Sequence, residues 1–175
     1  MSVASSISRG AGRVPGVVRV ILALVLALLV VGAGLLAYFE AAKVSAAQAT
    51  QQEENAAVAA AKTEIAQVLS YDYRNLNADL AQATADTTGT FAGQFSVLEG
   101  QYIQPVATQQ HTVTKAVVPE AAAVSSSGNQ VTVLVFIDQS TTNKSQSKAT
   151  NNASQIRLTM ENVNGRWLIE QFQAF

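Results

Sequence analysis

Cysteine is absent from the sequence. That rules out a disulfide framework, zinc–thiolate centres and cysteine nucleophiles. Histidine occurs once, at His111, so a His-rich metal site is excluded as well. Proline occurs three times and tryptophan once, at Trp167. Charge is scarce, at 13% of residues, and it is unevenly placed. Arg9, Arg13 and Arg19 are the only charged residues before position 40, and all twelve acidic residues come later. The acidic balance of that later part argues against nucleic acid, which requires clustered Lys and Arg.

What the chain does have is one long apolar run, Val20 to Phe39, VILALVLALLVVGAGLLAYF. At about 1.5 Å per helical residue it matches a hydrocarbon core of roughly 30 Å. In lipid the backbone must satisfy its own hydrogen bonds, so the run reads as a transmembrane helix. The alternative is a cleaved signal peptide, with Val44-Ser45-Ala46 as a small-residue cleavage site. Signal peptides have shorter apolar regions, which favours the anchor. The arginines before the run place the N-terminus in the cytoplasm and the remainder on the exported side of the plasma membrane. The chain then divides into a cytoplasmic tail (1–15), the span (16–39), a helical stalk (40–57) and an exported domain (58–175).

From Glu40 to Ser70 the chain is rich in Ala, Gln, Glu and Lys and contains neither Gly nor Pro, so it favours helix. Val58, Ala61, Ile65, Val68 and Leu69 form one helical stripe that should meet a core. Tyr71, Tyr73, Leu76 and Leu80 suggest a second helix, and Asp86-Thr87-Thr88-Gly89 a break. Phe91, Phe95, Leu98, Tyr102 and Val106 make the clearest amphipathic pattern outside the apolar run, with Pro105 as its expected end. From His111 the period becomes two. HTVTKAVVPEAAAV reads as a strand with a bulge or edge position at Pro119, and SSSGN as a turn. QVTVLVFIDQS reads as a central strand, apolar on both faces. Residues 140–154 read as a long polar loop, and QIRLTMENV as an alternating strand. Asn164-Gly165 signals a type I′ hairpin. The order predicts an α+β domain: three helices packed on a four-stranded antiparallel sheet.

Three stretches, LSYDYRNLNADL (69–80), VLVFIDQSTTN (133–143) and residues 154–168 with their Asn-Gly-Arg-Trp turn, resemble the Mce-associated membrane proteins of actinomycete cell envelopes. The likeness implies a cone-shaped domain similar to nuclear transport factor 2 and ketosteroid isomerase. It also implies an accessory role beside Mce lipid-import complexes, with Mce proteins and membrane lipid as partners. The inner-membrane scaffold of type IV secretion systems has a similar layout, and such a scaffold would self-associate. A third use of the cone would be to hold a lipid.

No cofactor is expected, and no catalytic set stands out. An isomerase-like dyad would need a buried carboxylate such as Asp138 against Tyr71 or Tyr73. Asp138 reads more simply as a strand-end cap. His111 reads as a surface residue at a helix–strand junction. Tyr71, Asp72, Tyr73 and Arg74 form a candidate recognition patch. Trp167 is a candidate interface anchor, although a tryptophan beside a hairpin turn commonly covers the end of its own core.

Overall fold

The computed structural model describes residues 16–175. The expected cytoplasmic tail lies outside them. So do the side chains of residues 16–37 and 40–42, which make up nearly all of the apolar run. Among the described residues no helix is long and apolar enough to cross a membrane. The backbone of α1 is helical from Gly16 to Val68. A compact unit comprising Gln48–Phe175 contains the rest of the fold.

The α1 stripe meets the core as its spacing predicts. Ala57, Ala61, Ile65 and Val68 are buried, with Val58 and Leu69 packed partly against them. The chain then turns at Leu69 and forms β1, Tyr71–Asp72, where a second helix was expected to begin. Tyr71 pairs with Thr114 and Asp72 with Val113. Helix α2 starts only at Leu76 and runs to Ala85, burying Leu76, Leu80 and Ala83. The predicted break at 86–89 is a sheet contact as well as a turn. The Ile169 N–H donates to the Asp86 carbonyl at 3.0 Å, and the Thr88 N–H donates to the Ile169 carbonyl at 2.9 Å.

Helix α3, Gly89–Leu98, buries Phe91 and Phe95 as expected. A π-helical turn, Glu99–Ile103, follows and leads into α4, Gln104–Gln110. Pro105 therefore sits in the first turn of a helix, where its missing N–H is harmless, and does not end one. The π turn accommodates one extra residue and rotates everything after it. Ile103 and Ala107 face inward in place of Tyr102 and Val106. Leu98, Tyr102 and Val106, expected in the core, are 45%, 61% and 50% exposed.

Four long strands, β2 (Val113–Ser127), β3 (Gln130–Asn143), β4 (Gln146–Val163) and β5 (Arg166–Ala174), complete the sheet in sequential antiparallel order. With β1 the sheet has five strands instead of the expected four. β3 is central, between β2 and β4. Its inward residues Val131, Val133, Val135 and Ile137 are buried beside Met160, Leu158 and Ile156 of β4. Its outward Leu134 and Phe136 are more open. The register slips between Val117 and Glu120, at Pro119 as the sequence indicates. Asn164 and Gly165 have φ of 55° and 85°, as a type I′ turn requires.

Residues 140–154 are not a loop. The β3–β4 ladder continues through Gln139–Asn152 and Thr141–Thr150 to Asn143–Gln146, which leaves a turn of two residues. The Asn143 side-chain oxygen accepts the N–H groups of Ser145 and Gln146, both at 2.9 Å, and closes that turn. Asp138 accordingly stands within a strand and does not cap its end.

Candidate functional site

The helices and the inner sheet face border a half-open cavity of about 440 Å³. Val68 at the end of α1 and Leu69 just after it, Phe91, Phe95 and Leu98 of α3, Ile103 of the π turn and Phe172 of β5 line it. Three aromatic rings brace one another there. Phe91 stacks on Phe172 with centroids 5.3 Å apart, and Phe95 tilts against Phe91 at 5.9 Å. The polar residues in the lining are Tyr71, Gln94 and Gln139. The Gln139 amide donates to the Leu69 carbonyl at 3.1 Å. None of this could be read from periodicity, because the lining comes from six separate elements.

From Leu98 at the cavity rim, a run of exposed apolar side chains, Val97, Leu98, Tyr102 and Val106, follows α3, the π turn and α4. Glu99 is the only charged residue between Gly89 and Gln110. Its carboxylate accepts hydrogen bonds from Thr84 at 3.2 Å and Gln104 at 3.3 Å.

The patch expected at 71–74 is split by strand alternation. Tyr71 contributes to the cavity, while Asp72 and Arg74 form a surface ion pair. The Arg74 Nε donates to Asp72 Oδ1 at 2.9 Å and Oδ2 at 3.0 Å. These bonds hold the Asp72 carboxyl down at about 2. Tyr73 stacks on His111 with centroids 4.6 Å apart, and the Arg74 guanidinium lies 5.9 Å from the Tyr73 centroid. His111 is exposed, caps α4 in a left-handed conformation (φ 54°), and is brought to the patch by the β1–β2 pairing. Trp167 lies on β5 and is 8% exposed, so it closes the end of the core and is not presented as a surface anchor. Asp138 alternates with cavity-lining Gln139 and lies on the opposite sheet face from Tyr71. The two do not form a dyad.

A third feature was missed in the sequence. Burial and the charge of Asp86 push Glu64 up to about 8, against a lowering by Arg166. Burial also raises Asp86, opposed by the Gln82 hydrogen bond and by Arg166, whose Nη2 stands 3.6 Å from Asp86 Oδ1. Oε2 of Glu64 and Oε2 of Glu170 are buried with no hydrogen-bond partner. Among the described residues no group of acidic and histidine side chains could hold a metal ion.

The α+β domain, with helices packed on one face of an antiparallel sheet, has a fold that recurs among solved structures. Solved structures that share its fold include a periplasmic fragment of TraM (TM-score 0.57, 15% identity, 69% of this chain and 95% of that one). CagV, a VirB8 homologue of the Helicobacter pylori type IV secretion system, is similar (TM-score 0.56, 12% identity, 69% and 97%). So is VirB8 of Agrobacterium tumefaciens (TM-score 0.51, 11% identity, 71% and 92%). At these identities the likeness is one of fold.

The chain itself belongs to the family described as uncharacterized protein Rv1363c/MT1408-like, whose model matches residues 16–173. Among its relatives is the outer membrane protein Rv1973 of Mycobacterium tuberculosis H37Rv, 37% identical over 142 residues, covering 81% of this chain and 86% of that protein. The uncharacterized protein Rv1362c of the same strain is 37% identical over 117 residues, covering 67% of this chain and 53% of that protein.

Proposed function

We propose that the chain is a non-enzymatic, single-span membrane protein. Its exported domain, a cone of the nuclear transport factor 2 type, docks a protein partner in an envelope assembly, in the sharper form an Mce-type lipid-import complex. The observation that carries the docking role is the exposed run Val97, Leu98, Tyr102 and Val106. Contiguous exposed apolar surface marks interaction sites. Interface cores are enriched in aromatics and depleted of charge, as this surface is. Without Lys or Arg it has little attraction for anionic headgroups, so a protein partner fits better than a lipid surface.

The apolar run at 20–39 supplies the tether, and the name of the relative Rv1973 supports a place in the envelope. The Mce assignment rests on the resemblance of residues 69–80, 133–143 and 154–168. The fold likeness to TraM, CagV and VirB8 favours a second reading, a scaffold that binds further copies of itself.

The test is affinity purification of the full chain from membranes in mild detergent, beside the double variant Tyr102→Ser/Val106→Ser. Specific recovery of Mce proteins with the wild type, lost in the variant, supports the first reading. Cross-linked dimers of the chain itself, lost in the variant, support the second. Identical recoveries from both chains would remove the docking surface altogether.

A further inference from the structure

The 440 Å³ cavity is not needed for docking, and its chemistry is selective. We propose that it binds a single-chain amphiphile whose head group carries no charge. The volume falls at the lower end of small-ligand cavities, roughly 300–1,000 Å³, which suits one hydrocarbon chain better than two. Val68, Leu69, Phe91, Phe95 and Phe172 give that chain a continuous apolar wall. The stacking of Phe91 on Phe172 supports this wall from within.

The head group is specified by what the lining offers. No carboxylate, lysine, arginine or histidine lines the cavity. A fatty-acid carboxylate or a phosphate drawn past the mouth to Tyr71 and Gln139 would lose hydration without gaining a counter-charge, which is unfavourable. An ammonium would face the same loss. Charge is nevertheless available in the adjoining groove, which shares Tyr71 and is lined by Asp72, Asp79 and Lys115. The cavity therefore excludes charge within one protein surface that carries it. Gln94, Gln139 and Tyr71 supply neutral donors and acceptors that match a hydroxyl or an ester. Because the Gln139 N–H₂ is engaged by the Leu69 carbonyl, its amide oxygen is the acceptor for a ligand hydroxyl.

The experiment uses the full chain in phosphatidylcholine nanodiscs and two photoactivatable probes with the same palmitoyl chain. One probe is a diazirine-bearing monoacylglycerol and the other the corresponding free acid. The expected result is labelling of peptides within 91–103 and of Phe172 by the glycerol ester, displaced by unlabelled 1-palmitoylglycerol but not by palmitate. Leu98→Trp fills the cavity from a partly exposed position and should abolish that labelling. Gln94→Ala should weaken displacement about fivefold, the loss of one neutral hydrogen bond. Equal labelling by the acid, labelling confined to 20–39, or labelling indifferent to both variants would overturn the proposal. If Leu98→Trp loses its circular-dichroism spectrum, Gln94→Ala, at an exposed position, decides.

Discussion

Glu64 and Val68 stand one helical turn apart on α1, yet their surroundings are opposite in kind. Val68 borders unfilled volume among aromatic rings, with no charge in the lining. Glu64 is half-buried, Asp86 and Arg166 act on it, and one of its oxygens has no partner. Apolar walls can surround free volume without leaving a polar group unsatisfied. A carboxylate under the same helix must find a donor or take up a proton. One layer of the fold thus has a part that borders free apolar volume and a part whose carboxylates are raised by burial.

The apolar side is broken most severely by Phe95→Ala. Phe95 is 2% exposed and braces Phe91. Enlarging the existing cavity there should destabilise the chain by about 3–5 kcal/mol, read from chemical denaturation.

The charged side is tested by Glu64→Gln. Glu64 is raised from 4.5 to about 8, so between those values the folded chain holds a proton that the unfolded chain has released. Stability of the natural chain therefore falls as pH rises through that window. Solvent reaches part of the group and screens it, so the variant should gain only of order 1–2 kcal/mol above pH 8, and almost nothing near pH 4.5. A denaturation midpoint followed against pH, with a shallower fall for the variant, checks this. Asp86, raised as well, leaves a residual slope of the same sign.

A smaller effect sharpens the packing around the other unpartnered carboxylate. Gly89 has φ of 50°, and a methyl added there would come within 2.9 Å of Glu170 Cγ. Gly89→Ala should destabilise by about 1 kcal/mol in a thermal melt, since the glutamate can swing aside but the backbone cannot relax. The smallest effect on stability belongs outside the layer. Tyr102→Ser should lie within about 0.5 kcal/mol of the natural chain, because the ring is 61% exposed, while partner recovery falls.

Much of the frame was legible in the residues. The α1 stripe, the alternation of β4, the irregularity at Pro119 and the Asn164-Gly165 turn each follow from local rules that tertiary packing leaves intact. Residues 140–154 misled because a ladder is made by the backbone. Asn, Thr and Ser lack an apolar rhythm, yet they pair readily once Asn143 closes the turn. Tyr102 and Val106 misled for a different reason, since a helical stripe assumes constant pitch and the π turn at Glu99–Ile103 changes it. Tyr71 and Tyr73 read as neighbours in one patch, but β1 takes Tyr71 to the cavity and leaves Tyr73 on His111, and the strand's pairing partner lies some forty residues away. The Glu64–Asp86–Arg166 group was invisible for the same reason: the three positions meet only when α1, the α2–α3 turn and β5 are assembled.

One detail of β2 governs how copies of this chain meet at high concentration. Its outer border is shielded by β1 at only two positions. Beyond them the Ala116 N–H donates to the Ser70 hydroxyl at 2.8 Å, and the Lys62 ammonium reaches the Pro119 carbonyl at 3.4 Å. Pro119 offers no N–H, and the register slips beside it. A bare, straight margin would be a template on which neighbouring molecules could add strand upon strand. Here that margin is plugged and kinked as far as Pro119, which blocks such templating along the first half of the strand.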